Sequence, residues 1–271
     1  MRRKVTGLVM ALAMAMAFAA CGGNDIEDIS GKITPAVSDE QEKDDADITP
    51  TEAVEDKDAE PEATDVPEED DAPKATEAPE ENGKTTSLGR VQEGVYVNEY
   101  IGISCTLDSG WEFYTAEELQ EFPEDVKGMF EGTIAEEQIN ALSYITDMSA
   151  ENLEELATMN IIYQKMSLYE ATAFKNLNYE KVVDVVLSQK DVMIDTYEQA
   201  GISVSELDKK FITFCGEKRA VIHMVGEYSE VPYYVVQLLN YDLGNYSTTI
   251  TLASFVEDKT EELASLFSKC E

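Results

Sequence analysis

Aromatic side chains are distributed very unevenly along this chain of 271 residues. All 13 tyrosines, the single tryptophan and eight of the nine phenylalanines lie in residues 91–271. Residues 24–90 contain no aromatic side chain, and they hold 23 acidic groups, six basic groups and six of the eight prolines. A segment of high charge and low apolar content cannot bury a core. The sequence therefore confines the folded part to residues 91–271, a length that suits one domain.

The segment 24–90 has the composition of a tether. Its prolines recur among threonine, alanine, glutamate and aspartate, a pattern that favours an extended, solvated chain over packed structure. We therefore predict a disordered acidic linker, rich in proline, threonine and glutamate, up to residue 90. Whether this linker has a role beyond spacing is left open by the sequence.

The N-terminus carries the features of a bacterial lipoprotein signal. Three basic residues stand at positions 2–4, residues 5–20 form an apolar run, and Cys21 follows two alanines. Small residues before a cysteine fit a peptidase that leaves this cysteine as the first residue of the mature chain. We predict a signal peptide at residues 1–20 and lipidation of Cys21 by acyl chains such as palmitate.

Two other interpretations of this N-terminus stay open. One is a transmembrane anchor, although the run of 16 residues is shorter than the roughly 20 apolar residues that a spanning helix needs. The other is an ordinary secretory signal that is cleaved after residues 17–19. That interpretation gives no reason for the cysteine that follows the two alanines.

The charge of the chain limits its partners. The formal net charge is −36, and both the linker and the domain are acidic. Such surfaces repel the phosphates of nucleic acids and anionic lipid headgroups. We therefore predict no nucleic-acid partner and attachment to the membrane through the lipid on Cys21 alone. The predicted location is extracytoplasmic, on the bacterial cell membrane, with an envelope or extracellular protein or peptide as the candidate partner.

Short apolar runs separated by turns predict an antiparallel sheet in the domain. The later runs are joined by turns of only a few residues that contain Gly216, Pro232 and Gly244. Turns this short favour an antiparallel meander. The predicted strands are residues 95–98, 101–107, 144–150, 159–166, 211–215, 219–228, 233–242 and 246–255.

Capping residues and apolar spacing predict four helices. Thr115 opens a capping box that starts a short helix, and a second, acidic helix is predicted within residues 123–142. Asn178 caps the longest helix, in which apolar positions recur at helical spacing up to Ala200. A last helix is predicted over residues 258–269.

The run at residues 233–239 is apolar on both faces of the predicted strand instead of alternating. In a soluble protein such a strand needs cover on both sides of the sheet, and the predicted helices supply it. We therefore predict an α/β fold in which an antiparallel β-sheet is flanked by helices in a three-layer sandwich.

Residues 100–107, Tyr-Ile-Gly-Ile-Ser-Cys-Thr-Leu, followed by Trp111, resemble the opening of PsbP-like domains, where a strand ends just before a tryptophan. The resemblance extends through the meander and the closing helix, and so spans most of residues 91–271. It departs at Asp108, where relatives commonly place proline. It implies an antiparallel sheet flanked by helices and a binding or assembly role without catalysis. The layout of tether and domain also resembles that of lipoproteins from gut Firmicutes.

Four aromatic residues are candidates for lining a ligand groove. Trp111 and Tyr114 lie just after a turn, and Tyr233 and Tyr234 begin a strand. Aromatic side chains at strand ends also anchor a sheet against helices, because they bury a large apolar area. Core packing therefore stays open as the other interpretation.

The remaining reactive residues predict no catalytic, cofactor or metal site. His223 is the only histidine, so it cannot form a polyhistidine metal site, and no serine nucleophile motif accompanies it. Cys105 faces the predicted core and is expected to pack there. Cys215 and Cys270 are left open as a disulfide pair or two free thiols.

These features together predict a membrane-anchored, surface-exposed lipoprotein with a non-catalytic domain for binding or assembly, and no enzymatic activity. Two alternatives are kept. One is a cell-envelope hydrolase with an unrecognised active site, which would need perturbed carboxylates near a nucleophile in a pocket. The other is a purely structural surface spacer.

Overall fold

The computed structural model describes residues 88–120, 144–166, 168–174, 177–243 and 246–270. The predicted signal peptide, Cys21, the linker up to residue 87 and the predicted acidic helix at residues 123–142 lie outside the described residues. Within the described ranges, no helix combines the length and the hydrophobicity that a membrane span requires.

The described ranges form strands and helices in a mixed order. The strands are β1 (Arg90–Gln92), β2 (Val95–Asn98), β3 (Ile103–Thr106), β4 (Glu112–Phe113), β5 (Tyr144–Asn152), β6 (Ala157–Lys165), β7 (Ile202–Phe214), β8 (Glu217–Tyr228), β9 (Val231–Leu243), β10 (Tyr246–Phe255) and β11 (Phe267–Lys269). The helices are α1 (Leu168–Phe174), α2 (Tyr179–Leu187), α3 (Lys190–Gln199) and α4 (Thr260–Ser265). Residues 116–120 are also helical, and Thr115 and Glu118 form the predicted capping box before them.

Seven strands form one antiparallel sheet in the order β4-β5-β6-β10-β9-β8-β7. Strands β7 to β10 follow one another as the meander that the short turns predict. The turn between β7 and β8 consists of Cys215 and Gly216, both at positive φ, a backbone geometry that matches the twist of the paired strands. β10 then pairs with β6, and β6 pairs with β5.

The other four strands form a smaller antiparallel sheet in the order β1-β2-β3-β11. This small sheet covers one face of the large sheet together with α4. Tyr96 and Cys105 of the small sheet and Leu263 of α4 share a buried core with Ile161 and Leu252 of the large sheet. The predicted pairing of the first two strands is present as β2 and β3.

Helices cover the opposite face of the large sheet. Val182, Val183 and Val186 of α2 and Met193 and Tyr197 of α3 are buried in a second core with apolar side chains of β7, β8 and β9. The antiparallel sheet is thus the middle of three layers, and the predicted α/β class is confirmed. One outer layer is helical, whereas the other combines the small sheet with a short helix.

The predicted long helix after Asn178 is in fact two helices, α2 and α3. Asn178 does cap the first one, because its side-chain oxygen accepts a hydrogen bond from the Lys181 N–H at 2.9 Å. α2 ends just before Ser188, whose hydroxyl donates to the Val185 carbonyl at 2.6 Å. Such a local bond competes with continuation of the helix, so the prediction of one unbroken helix was wrong.

The strand predicted at residues 211–215 was too short, because β7 already begins at Ile202. The missed part, residues 202–210, carries four charged side chains, which concealed a strand pattern. β7 is an edge strand, and charged side chains are typical of edges because they discourage further pairing. Lys209, for example, forms ion pairs with Glu180 and Asp184 of α2 at 3.0 and 2.8 Å.

The helix predicted over residues 258–269 is also only partly present. α4 accounts for its first part, and the chain then changes to β11, in which Phe267 lies opposite Cys105 of β3. As a strand, residues 267–269 pair with the backbone at the free edge of β3, whereas one more helical turn would leave that edge unpaired. Cys270 therefore follows a strand instead of a helix.

Asp147 is a buried carboxylate between the two sheets. It occupies a bulge in β5, where the pairing with β6 is interrupted, and a bulge re-aims a side chain. Its Oδ1 accepts the Gly89 N–H at 2.8 Å, and its Oδ2 accepts the Tyr96 hydroxyl at 2.5 Å and the Asn98 amide at 2.7 Å. This Asp147 cluster fastens the small sheet, and the chain where it enters the domain, to the large sheet.

All three neighbours of Asp147 donate hydrogen bonds to it, so the site suits a carboxylate, which only accepts them. Burial raises the pKa of Asp147 above its usual value, and the hydrogen bonds from Tyr96, Gly89 and Asn98 offset this rise only in part. Burial and the neighbouring carboxylate raise the pKa of the Tyr96 hydroxyl, which therefore keeps its proton and donates. Each of the three neighbours supplies a donor. An asparagine at position 147 would therefore place its own side-chain N–H group against one of these donors.

Replacing Asp147 with asparagine should lower the free energy of unfolding by about 2–4 kcal/mol, because the new amide nitrogen faces donors in a buried site. Chemical denaturation of the full chain at neutral pH measures this loss. The control is Asp108→Asn, because exposed Asp108 accepts the Gly110 N–H at 2.9 Å through an oxygen that asparagine retains. Equal stability of the two variants would contradict the role given to Asp147.

Candidate binding site

A row of polar side chains crosses the helix-covered face of the large sheet. Ser149 on β5 lies opposite Asn160 on β6, Asn160 lies opposite Thr251 on β10, and Thr251 lies opposite Gln237 on β9. Directly opposed residues point to the same face of a sheet. The next residue across, Ile222 on β8, belongs to the core on the helix side. We name Ser149, Asn160, Thr251 and Gln237 the polar row.

Two further hydroxyls flank the polar row on the same face. Thr158 lies two residues before Asn160 on β6, and Thr249 lies two residues before Thr251 on β10, a spacing that keeps side chains on one face. Each residue of the polar row is 1% exposed, and both flanking threonines are 0% exposed. Six polar side chains are therefore buried side by side on one sheet face.

Most of these buried groups have no hydrogen-bond partner within the part of the chain that the structure describes. This holds for both amide atoms of Asn160 and for the hydroxyls of Ser149, Thr158, Thr249 and Thr251. Buried polar groups are nearly always hydrogen-bonded in folded proteins, and leaving one unpaired costs roughly 1–3 kcal/mol. Five such residues together call for partners beyond these side chains.

Beyond Gln237, the part of this sheet face on β8 and β9 is apolar. α2 packs on β7, β8 and β9, and α3 packs on β7, where Ile222, Val235 and Leu239 are buried. At the positions of the polar row, apolar side chains would pack just as well against the neighbouring strands. A buried polar group there conflicts with the apolar core around it. Conflicts of this kind are expected at functional sites, so the polar row is the candidate binding site.

The four aromatic residues predicted to line a groove fall on two faces of the large sheet. Tyr114 and Tyr233 pack with the core on the helix side, whereas Trp111 packs with the core beneath the small sheet. Tyr234 follows Tyr233 directly along β9 and so points to the opposite face. The structure therefore divides these residues between two faces instead of placing them in one groove.

Tyr114 is the member of this set that borders the polar row. Its N–H donates to the Ser149 carbonyl at 3.0 Å, and its hydroxyl donates to Glu151 Oε2 at 3.0 Å. Tyr233 lies in the apolar part of the face, where its ring stacks on Phe255 with centroids 4.7 Å apart. Burial raises the pKa of the Tyr233 hydroxyl, which keeps that group neutral.

His223 belongs to β8, away from the polar row, and its side chain lies near Asp258, just before α4. Its Nε2 is 3.4 Å from Asp258 Oδ2, and its Nδ1 is 3.8 Å from Glu206 Oε1. Burial raises the pKa of Asp258, but two hydrogen bonds from Thr260 and the nearby Lys210 and His223 hold it below its usual range. His223 therefore takes part in the contact between β8 and the segment that leads into α4.

The three described cysteines are free thiols. Cys105 is buried with its Sγ 3.7 Å from the Met159 sulfur, and burial raises its pKa to about 12, so it packs in the core as expected. Burial also raises the pKa of Cys215, to about 11. Among the described residues, no group of three histidine, cysteine, aspartate or glutamate side chains is placed to hold a metal ion.

Sequence reasoning missed the polar row, although β10 contained a signal for it. Hydroxyl residues recur at positions 247, 249 and 251, while positions 250 and 252 are apolar. A polar face of a strand ordinarily predicts exposure to solvent, yet these hydroxyls are buried. The alignment of Asn160 with Thr251 depends on strand register, which local periodicity does not supply.

No protein-family model matches this chain, and no curated protein matches it in sequence. Among solved structures, the chain is similar to the solution structure of cyanobacterial PsbP (CyanoP) from Synechocystis sp. PCC 6803, with 13% sequence identity. The similarity covers 68% of this chain and 97% of the cyanobacterial chain, with a TM-score of 0.37. This is a weak likeness of fold, and the α/β class stands on the strand order and layers described above.

Proposed function

We propose that this chain is a membrane-anchored, surface-exposed lipoprotein whose α/β domain is a non-catalytic binding or assembly module. The N-terminal pattern that ends at Cys21 supports the anchor, and the acidic, proline-rich composition of residues 24–90 supports a spacer between anchor and domain. The polar row supports the binding role of the domain.

The polar row is the observation that carries the binding role. A domain that served only as a spacer would gain stability from apolar residues at buried positions, because unpaired polar groups are costly there. The Asn160 amide and the hydroxyls of Ser149, Thr158, Thr249 and Thr251 instead have no partners among the described residues. Such groups become favourable when a bound molecule supplies their hydrogen bonds.

The chemistry of these groups favours binding over catalysis. Threonine and serine hydroxyls and the asparagine amide are neutral near pH 7 and act through hydrogen bonds. The nearest described carboxylate on this face, Glu151, already accepts the Tyr114 hydroxyl. A hydrolase would use a positioned base to activate a nucleophile, and hydrogen bonding alone suffices for recognition.

Replacing Thr251 with valine should raise the free energy of unfolding of the ligand-free protein by about 1–3 kcal/mol, because it removes an unpaired buried hydroxyl and keeps the side-chain shape. Chemical denaturation measures the gain. Thr213→Val is the matched control, since Thr213 lies on β7 with an exposed side chain, and it should shift stability by less than about 0.5 kcal/mol. A loss of stability in Thr251→Val would show that the hydroxyl is already satisfied.

Replacing Cys21 with serine should move the protein from the membrane fraction to the soluble fraction, because serine offers no thiol for the lipid. Cell fractionation followed by immunoblotting measures the distribution. Cys270→Ser is the matched control and should stay with the membrane. Retention of Cys21→Ser in the membrane fraction would disprove the lipid anchor.

A further inference from the structure

We infer that Cys215 and Cys270 are a redox-active pair, which closes into a disulfide by exchange with a small disulfide compound. The inference concerns a modification site and goes beyond the proposed binding function, because it does not involve the polar row. It rests on the contacts between the β7–β8 turn and β11, on the backbone of Cys215 and on the accessibility of the two thiols.

The β7–β8 turn, which contains one of these cysteines, lies against β11, which the other cysteine follows. Just before the turn, the ring of Phe214 packs on the ring of Phe267 of β11, with centroids 5.2 Å apart. Just after the turn, the Glu217 carboxylate pairs with Lys269 Nζ at 2.5 Å. Contacts on both sides of the turn therefore hold the two cysteines on facing segments.

The two thiols also influence each other electrostatically. Burial is the main reason that the pKa of Cys215 is raised to about 11, and Cys270 contributes to the same rise. Such an influence weakens with distance, so it supports the proximity of the two groups. The Cys270 Sγ is 3.7 Å from the Asn98 carbonyl oxygen, a weak bond that rotation of the side chain towards Cys215 would release.

Cys215 occupies a backbone position that ordinarily belongs to asparagine or glycine. It is the first residue of a two-residue hairpin turn, and its φ is 51°. Turns of this geometry favour Asn-Gly, and residues other than glycine, asparagine and aspartate are uncommon at positive φ. A residue that breaks a local preference points to a functional reason, and here a thiol would supply it.

The third described thiol is set apart from this pair by its burial. Cys105 is 0% exposed, and burial raises its pKa to about 12. Cys215 and Cys270 are only partly buried. A small disulfide compound can therefore reach these two thiols from solvent, whereas Cys105 is closed to it.

The exchange balances with glutathione disulfide as the oxidant. One protein thiolate attacks a sulfur of glutathione disulfide, breaks its S–S bond and releases one glutathione thiolate. The second protein thiolate then attacks the protein sulfur of this mixed disulfide, forms the bond between Cys215 and Cys270, and releases the second glutathione thiolate. The two protons of the protein thiols end on the two glutathione thiols, so the protein loses two electrons and glutathione disulfide gains them.

Peptide mapping of the detergent-solubilised full chain tests this inference. The protein is incubated with glutathione disulfide, its free thiols are alkylated, and it is digested without reduction for mass spectrometry. We expect a linked pair of peptides that contains Cys215 and Cys270 and that dithiothreitol separates. Two alkylated thiols, lasting glutathione adducts on both cysteines, or a bond between Cys215 and Cys105 would each overturn the inference.

Cys270→Ser is the test variant, and Cys105→Ala is its matched control. After oxidation, Cys270→Ser should carry Cys215 as a glutathione adduct, whereas Cys105→Ala should still form the bridge. Mapping of the unsubstituted chain keeps the test decisive where the control variant fails to fold.

The bridge should also raise the melting temperature of the unsubstituted chain by roughly 5–10 °C, because it restricts the unfolded chain between its two ends. Cys270→Ser should show no such rise on oxidation. A bridge that lowers the melting temperature would form only by distorting the fold, and this result would also overturn the inference.

Discussion

The large sheet is covered on both faces, and this constraint governs the side chains of its inner strands. Helices lie on one face, and the small sheet with α4 lies on the other. A side chain in the covered part of either face is removed from water, so it must be apolar or must find hydrogen bonds inside the protein. The apolar residues of β9 meet this requirement simply, because Val235 and Leu239 enter one core and Val236 and Leu238 enter the other.

Asp147 and the polar row respond to the same constraint in opposite ways. The Asp147 carboxylate accepts bonds from Gly89, Tyr96 and Asn98, so burial of a charged group fastens two sheets together. Asn160 and the hydroxyls around it are equally buried, but within the described residues no such partners meet them. One buried polar cluster thus stabilises the fold, whereas the other is better explained by a bound molecule.

Local sequence patterns were sufficient for the fold class and insufficient for the site. The doubly apolar run at residues 233–239 and the short turns at Gly216 and Pro232 indicated a covered antiparallel meander, which the structure contains. The part of β7 before residue 211, with its charges at 206–210, and the break at Ser188 were missed. In both places a tertiary or side-chain contact decides the local structure, and propensity does not.

The polar row could not be found from the sequence because its members are brought together by register. Asn160 and Thr251 belong to strands that are far apart in the chain and pair only in the folded sheet. Two of the four aromatic candidates, Trp111 and Tyr234, are placed on the face away from the row. Among them only Tyr114 reaches its edge, through Ser149 and Glu151.

The most direct test of a binding role for the polar row is a high-resolution crystal structure of the protein purified from its native cells without an exchange step. We predict a non-protein molecule within hydrogen-bond distance of the Asn160 amide and the Thr251 hydroxyl. A row whose side chains are hydrogen-bonded only to one another, or only to fixed waters, would contradict this prediction.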